Sequence, residues 1–414
     1  MRKILVLGFI VLVLLALAMS PRSTVAQTGR TITIAVDLAH GESDRYLDFI
    51  QGNITSVIVD GVSYPINWVN ITPGMSITSE LLSGVDILLI GQPTVSFGPD
   101  EMEAIRTWLL TGNKVLYIAG DSDYGGGPAS IDVVNSLLGY VDSKLRLEQA
   151  AVYTPYPDVR NYTYKGVEYP TNAKAYYRVV AFVEPDPVSL LYTYMLDEDV
   201  TKPIIMHGPT CVIWVDEAGN YRDPVSEIFP GLIRLVWFRR AYIGDNNPPA
   251  PYVYDLLSYG YGGPKGDSSF VGYAAEYFTQ LNSMVVVAGE SLYGDYEPAW
   301  SSSYYGVDLD GPKFVTNLVR WWVKVITTPL VTTVTETETV TTTETTTTTI
   351  TEKITTTFTT TTTQTLTTTI VTTEKTTETT IITEKVPDYT STTVVLVIAI
   401  IIIAILATRL LAKK

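Results

Sequence analysis

Three apolar segments of the chain end in an acidic side chain, and a fourth carries a histidine near its end. The segments IAVD, LYIAGD and VVVAGE end in Asp37, Asp121 and Glu290, and the segment PIIMHG contains His207. In open parallel sheets, ligands bind in the crevice outside the carboxyl ends of the strands. If these segments are parallel strands of one sheet, their terminal side chains lie together, and we expect a ligand-binding site there.

Further polar residues follow the same kind of segment. His40 and Ser122 come shortly after the first two segments, and Gln92 follows an apolar run at residues 85–90. The candidate ligand-binding residues are Asp37, His40, Gln92, Asp121, Ser122, His207 and Glu290. Asp and Gly also cap helices and form turns after strands, so a purely structural role for each residue is the alternative.

Residues that could do acid–base, nucleophilic or metal chemistry are few. The chain has one cysteine, Cys211, and two histidines, so it has no intramolecular disulfide and no thiolate metal cluster. Two Asp-rich turns, DSDYG and DLDG, have the oxygen ligands that calcium favours, but neither has the late glutamate of an EF-hand loop. We predict no metal, no cofactor and no catalytic residue. The alternative is a serine hydrolase in which His40 or His207 activates Ser122.

Charge and aromatic content limit the class of partner. The formal net charge is −15. Binding to nucleic acid requires clustered Lys and Arg that neutralise phosphates, so a nucleic acid is excluded as a partner. A Tyr- and Gly-rich stretch at residues 252–263 offers aromatic surfaces for sugar rings or for a protein partner. The alternative for that stretch is a loop whose tyrosines pack on one another.

The candidate residues require a sheet to position them. Short runs that are apolar throughout, as in strands buried on both faces, predict strands at residues 31–36, 85–90, 114–119 and 283–288. Between the second and the third of these, residues 100–110 have apolar side chains at helical spacing. A strand, a crossover helix and a second strand form a βαβ unit, which predicts a parallel sheet and an α/β fold class.

The same segments resemble the class I glutamine amidotransferase-like superfamily. The resemblance rests on the motifs VDLAHGE, GVDILLIGQP, GNKVLYIAGD, IIMHGP, MVVVAGES and FVTNLVRWW, which lie between residues 31 and 326. More narrowly, the chain is similar to a non-catalytic branch found in ABC-transporter-associated and gliding-associated proteins. The resemblance implies a flavodoxin-like three-layer sandwich with a mostly parallel sheet and insertions at residues 145–199 and 242–265.

Catalytic members of this superfamily carry a nucleophilic cysteine in a tight strand-to-helix turn. The corresponding turn here, residues 120–123, has the sequence GDSD and contains no cysteine. Cys211 follows another segment, and we expect it to be a small core residue. The resemblance therefore implies a protein without amidotransferase activity.

Both ends of the chain have the pattern of a cell-surface protein. Residues 1–26 have the basic start, apolar run and small-residue cleavage site of a secretory signal peptide. Residues 327–391 form a threonine-rich stalk, predicted to be disordered and O-glycosylated. Residues 392–411 predict a transmembrane helix, and the basic tail at residues 412–414 places the C-terminus in the cytoplasm. The candidate N-glycosylation sites are Asn53, Asn70 and Asn161.

We therefore expect residues 27–326 to form an extracellular domain, anchored in the cell membrane, with a non-enzymatic binding or structural function. The stalk resembles those of archaeal surface and solute-binding proteins. Expected partners are the membrane and other cell-surface proteins, transporter proteins or glycans, within a transport or surface-layer assembly. Two alternatives stay open: the serine hydrolase and an ABC-type solute-binding component.

Overall fold

The structure is a computed structural model that describes residues 27–122, 128–244, 250–294, 299–328, 341–346 and 360–365. The chain divides into two compact units, Met1–Pro329 and Leu330–Lys414, and each is described by itself. The predicted signal peptide and the predicted transmembrane helix lie outside the described residues. Among the residues that are described, none belongs to a helix that is both long enough and apolar enough to cross a bilayer.

The first unit is built mainly from strands. In chain order, its strands are β1 (Gln27–Thr28), β2 (Ile32–Asp37), β3 (Ser56–Val59), β4 (Val62–Ile71), β5 (Ile87–Ile90), β6 (Val115–Ala119), β7 (Leu145–Leu147), β8 (Ala151–Tyr153), β9 (Asn161–Tyr164), β10 (Val167–Pro170), β11 (Arg178–Val183), β12 (Ile204–His207), β13 (Val212–Val215), β14 (Tyr221–Arg222), β15 (Leu232–Gly244), β16 (Ser268–Phe278), β17 (Ser283–Ala288), β18 (Ser303–Tyr304) and β19 (Val307–Asp308). Its α-helices are α1 (Leu47–Asn53), α2 (Ser79–Leu82), α3 (Pro99–Leu110), α4 (Pro128–Tyr140), α5 (Leu256–Tyr259) and α6 (Gly311–Thr327). Two short 3-10 helices span Ser189–Leu191 and Thr193–Met195.

Twelve of these strands form one mixed sheet. Their order is β1-β4-β2-β5-β6-β17-β16-β15-β11-β12, with β3 beside β4 and β8 beside β15. Neighbours from β1 to β17 are parallel, and we call these six strands the parallel half. Neighbours from β17 to β12 are antiparallel, and we call β16, β15, β11, β12 and β8 the antiparallel half.

The four strands predicted as a parallel set lie side by side. Ile34 of β2 pairs with Ile87 of β5, and Tyr117 of β6 pairs with Val286 of β17. All four side chains are fully buried. The prediction of parallel pairing among these segments is therefore confirmed.

The predicted fold class, a flavodoxin-like α/β sandwich with a mostly parallel sheet, is wrong. The antiparallel half contains the two long strands β15 and β16, which have 13 and 11 residues. The pairing of β15 with β16 is irregular between Arg234 and Val236 and again between Phe238 and Ala241. Such bulges break the alternation by which a strand is recognised. The first unit is consequently a mixed-sheet structure with few helices.

Helices cover both faces of the parallel half. Side chains alternate along each strand, so Leu89 and Tyr117 belong to the core on the side of α6, where the Trp322 ring lies 5.7 Å from the Tyr117 ring. Leu88 belongs to the opposite core, which contains Trp108 of α3. Burial from both sides explains why these strands have no polar face.

The structure describes two strands of the second unit, β20 (Thr341–Thr346) and β21 (Thr360–Thr365), which pair antiparallel. The disordered, O-glycosylated stalk at residues 327–391 stays a prediction. Threonine is β-branched and favours extended backbone, which is the physical reason for strand pairing in such a sequence.

Candidate functional site

The His40 imidazole lies between two carboxylates, just beyond the end of β2. Its Nδ1 is 2.7 Å from Asp37 Oδ2, and its Nε2 is 3.2 Å from Glu101 Oε2. Asp37 is fully buried and His40 is 5% exposed. A ring with a carboxylate at each nitrogen donates to both in its protonated form. Burial lowers the pKa of His40, but Asp37 and Glu101 outweigh it and raise the pKa to about 9.

The loop that carries His40 is fixed to the loop after β5. The carbonyl oxygen of His40 accepts hydrogen bonds from Thr94 N and Val95 N, both at 2.9 Å. The ring of Phe97 lies 4.1 Å from the imidazole, between centroids. These contacts hold the imidazole in one orientation.

Glu101, in the first turn of α3, was not among the residues predicted to form the site. Its Oε2 accepts from Gly98 N at 2.9 Å, and its Oε1 accepts from Ile77 N at 3.0 Å. Burial raises the pKa of Glu101, but these backbone bonds and His40 outweigh it, so the pKa is lowered. An acid in the first turn of a helix is a recognisable capping signal, but nothing local indicates a partner 61 residues earlier.

Glu42 completes a group that we call the His40 cluster (Asp37, His40, Glu42 and Glu101). Its Oε2 accepts from His40 N at 2.9 Å, and its Oε1 is buried and accepts no hydrogen bond from the described residues. Burial, followed by the charge of Asp37, raises the pKa of Glu42 to about 8. Glu42, like Glu101, was not among the residues predicted to form the site.

Three members of the His40 cluster could hold a metal ion. Ligand atoms of Asp37, His40 and Glu42 lie within 4.8 Å of one another, and carboxylate and imidazole are common ligands of divalent cations. A metal must first displace the proton from the imidazole nitrogen that it binds. Both ring nitrogens already contact carboxylates, so a metal bound to His40 would replace one of these hydrogen bonds.

A second group, the Ser122 corner (Ser122, His207, Gly208 and Glu290), lies at the ends of β6, β12 and β17. Glu290 Oε2 accepts a hydrogen bond from the backbone N of His207 at 2.6 Å. Ser122 N donates to Gly208 O at 3.2 Å and to Asp121 Oδ1 at 2.7 Å. Three predicted strand ends therefore meet at this corner.

The Ser122 corner requires the antiparallel half to curl. Three strands separate β12 from β17 in the sheet, yet His207, the last residue of β12, contacts Glu290 beyond β17. Thr210 N donates to Gly289 O at 3.1 Å. A Cβ on Gly289 would lie 2.0 Å from Thr210 O, so this close approach of two backbones requires glycine.

Tyr293 connects the two groups. It follows Glu290 by three residues, and its hydroxyl donates to Asp37 O at 3.2 Å. The neighbouring Gly294 packs against Gln92, because a Cβ on Gly294 would lie 2.9 Å from Gln92 Oε1. The segment after β17 therefore passes beside the ends of both β2 and β5.

The seven predicted residues fall into two groups instead of one. Asp37 and His40 belong to the His40 cluster, Gln92 lies beside the connecting segment, and the Ser122 corner contains or adjoins Asp121, Ser122, His207 and Glu290. Parallel strands bring all of their carboxyl ends to one edge, but β5 and β6 lie between β2 and β17. That separation accounts for the division.

A cleft of about 300 Å³ adjoins the His40 cluster. It is lined by Thr94, Ser96, Phe97, Met102, Asp132, Val133 and Ser136. Phe97 contributes to the cleft and also contacts the imidazole of His40. Its lining mixes polar and apolar side chains, and its volume is at the lower end of the range of small-molecule sites.

Cys211 has the features of a core residue. Its side chain is fully buried, and burial raises the pKa of the thiol well above its ordinary value. The reactive form of cysteine is the thiolate, so this environment gives an inert side chain. The position agrees with the role expected from the sequence.

The three candidate glycosylation sites, Asn53, Asn70 and Asn161, are exposed. The side chain of Asn53 donates to Phe49 O at 2.7 Å, and that of Asn70 accepts from Gln51 Nε2 at 2.7 Å. A glycan at either residue would replace these local contacts.

No family model matches the sequence, and no curated protein matches it. Among solved structures, the chain is similar to one described as the mmIFT52 N-terminal domain. The two chains are 14% identical, and the alignment covers 70% of this chain and 97% of that one, with a TM-score of 0.40. A similarity this distant transfers neither a fold nor a function to this chain.

Proposed function

We propose that the chain is a membrane-anchored cell-surface protein whose extracellular domain binds a ligand without turning it over. The anchoring and the orientation rest on the sequence patterns at residues 1–26 and 392–411. The binding role rests on the strand-end groups and on the cleft beside them.

The protonation state of His40 supports the non-enzymatic part of the proposal. A general base must present an unprotonated nitrogen to the group that it activates. Both ring nitrogens of His40 face carboxylates, and its pKa of about 9 keeps the ring protonated at neutral pH. His40 therefore anchors two loops and does not act as a base toward Ser122.

The charge of the His40 cluster indicates the kind of ligand. The imidazolium of His40 faces two carboxylates, those of Asp37 and Glu101. Glu42 binds the backbone N of His40 and is protonated at neutral pH, because its pKa is about 8. Carboxylates accept hydrogen bonds and do not donate them when ionised. The two ionised carboxylates and the one imidazolium leave a net negative charge beside the cleft, which favours a neutral or cationic ligand over an anionic one.

A serine hydrolase is the second candidate, because the Ser122 corner brings a serine, a histidine and a carboxylate together. Glu290 binds the backbone of His207, and the backbone of Ser122 binds that of Gly208, the next residue. Hydrolysis would require a ring nitrogen of His207 within about 3.2 Å of Ser122 Oγ, together with donors for the oxyanion. The ABC-type solute-binding alternative has less support, since one sheet runs through the first unit where two lobes with a hinge would be required.

A fluorophosphonate probe on the full chain distinguishes binding from hydrolysis. Such probes react covalently with an activated serine, and we expect no labelling. The control is Ser122→Ala, which should give the same blank result. Stoichiometric labelling of Ser122 that disappears in Ser122→Ala would refute the non-enzymatic proposal and support the hydrolase.

A further inference from the structure

Six aromatic rings form a continuous strip that begins at the Ser122 corner. In spatial order they are His207, Tyr177, Tyr176, Tyr153, Tyr242 and Tyr261. Centroids of successive rings are 5.0, 5.1, 4.7, 5.9 and 5.1 Å apart. We call these six residues the tyrosine strip.

The rings of the strip hold one another in place. Tyr153 is buried, and the rings of Tyr176 and Tyr242 both stand edge-on to it, at 75° and 73°. Gly244 packs against Tyr153, because a Cβ there would lie 2.4 Å from the ring. Tyr177 also faces the guanidinium of Arg178 at 5.3 Å. Rings fixed by their neighbours lose little conformational freedom when a ligand binds.

The strip is accessible at both its middle and its far end. Tyr176 is 43% exposed and Tyr261 is 61% exposed, while Tyr177 and Tyr242 are partly exposed. Most other tyrosines of the loop at residues 252–263 pack among themselves or on neighbours: Tyr252 stacks on Tyr221 and Tyr254 contacts Tyr259. Of that loop, Tyr261 is the residue that extends the strip.

We propose that the tyrosine strip binds a neutral oligosaccharide, whose end reaches the Ser122 corner. This rests on the proposed function and names the ligand class. The exposed rings of Tyr176 and Tyr261 and the partly exposed rings of Tyr177 and Tyr242 offer apolar surface to the C–H face of a pyranose, and their hydroxyls can contact its polar rim. The buried Tyr153 lies between Tyr176 and Tyr242 and supports both, so an extended glycan would meet accessible rings on either side of it.

The charge of the chain favours a neutral glycan over an anionic one. The net charge is −15, so acidic polysaccharides are repelled. A polypeptide partner is an outcome of the test that would contradict the proposal.

Isothermal titration calorimetry of the full chain in detergent tests whether the tyrosine strip binds an oligosaccharide. The probes are mannopentaose and cellopentaose, a glycopeptide that carries the mannose chain on asparagine, and polygalacturonate as the anionic comparison. We expect at least one neutral probe to bind, and we expect Tyr176→Ala and Tyr261→Ala each to weaken that binding by about five- to tenfold. Tyr194→Ala is the matched control, because Tyr194 is also 61% exposed and lies outside the strip.

Each result of the titration either supports the proposed role of the tyrosine strip or contradicts it. Binding of a free oligosaccharide or of the glycopeptide supports the strip, and comparison of the two shows whether the ligand is free or protein-attached. Three results would overturn it: no binding of any neutral probe, tighter binding of polygalacturonate or of the deglycosylated peptide, or equal weakening in Tyr194→Ala. If fluorophosphonate labels Ser122 while oligosaccharide binding is intact, the non-enzymatic function is refuted, but the proposal that the tyrosine strip binds an oligosaccharide is not.

Discussion

The two halves of the large sheet are stabilised in different ways. In the parallel half, every residue of β5 and β6 is buried, so both faces of these strands contact apolar side chains. In the antiparallel half, β15 carries arginines that pair with carboxylates: Arg234 with Asp186 at 2.8 Å and Arg239 with Glu184. The stability of the parallel half thus depends on apolar burial, while that of the antiparallel half also depends on ion pairs between side chains.

Buried carboxylates hold the loops around the antiparallel half. Glu148 is fully buried and accepts hydrogen bonds from the backbone N of Tyr252, Val253 and Tyr254, at 2.5, 2.8 and 3.2 Å. Glu276 accepts from Ser143 Oγ and from Lys144 N, both at 2.7 Å. A loop anchored in this way can present tyrosines at its surface while its backbone stays fixed. The loops that carry the proposed tyrosine strip lie beside the antiparallel half, whereas the His40 cluster and its cleft lie beside the parallel half.

The largest expected effect is in the parallel half. Leu88→Asp should abolish folding, because it places a charge in a fully buried strand with no partner. The measurement is the cooperative thermal transition followed by circular dichroism. Ile58→Asp is the control: Ile58 lies on β3, which alternates exposed and buried residues, and it is 55% exposed. A folded Leu88→Asp variant with the wild-type transition would contradict the burial argument.

A smaller effect is expected where a carboxylate anchors a loop. Glu148→Ala leaves the amides of residues 252–254 without their acceptor, and we expect a loss of about 3 kcal/mol in the free energy of unfolding. Urea unfolding measures the loss, and hydrogen exchange should show faster exchange at these amides. Glu217→Ala is the control, since the Glu217 side chain is 92% exposed. Equal losses in the two variants would mean that Glu148 anchors nothing.

The smallest expected effect is a pH dependence at the His40 cluster, beside the parallel half. The pKa of His40 is raised to about 9 in the folded protein. The stability that His40 adds is therefore fully present at a pH below the pKa of an ordinary histidine, and it is lost as the pH rises through 9. The loss amounts to about 2 to 3 kcal/mol relative to neutral pH. Glu42, with a pKa raised to about 8, acts in the same direction, because folding also favours its protonated form.

The check is the melting temperature of the wild type and of His40→Gln between pH 7 and pH 10. Wild type should lose more stability over this range than the variant, whose side chain does not titrate. Parallel curves for the two proteins would show that His40 does not hold an extra proton in the folded state.

Prediction from sequence succeeded where the information is local. The strands containing Ile34, Leu88, Tyr117 and Val286 are short apolar runs, and a strand buried on both faces cannot have polar positions. The candidate residues at their ends followed from the same pattern, since chain reversal after a buried strand occurs at the edge of the sheet. Contacts between distant segments gave no such signal. Glu101 joins His40 across 61 residues, and the sequence marks it only as a helix-capping residue.

The sequence by itself therefore determined the parallel strands, the residues at their carboxyl ends and the buried state expected of Cys211. Tertiary structure decided how the other strands pair. Bulges in β15 interrupt the regular alternation of its side chains, and the pairing partners lie far apart in sequence. It also decided which strand ends meet. The curl of the antiparallel half brings His207 to Glu290, and packing of the segment after β17 places Tyr293 on Asp37. Local preferences specify elements, whereas the meeting of distant side chains depends on the energy of the whole packed core.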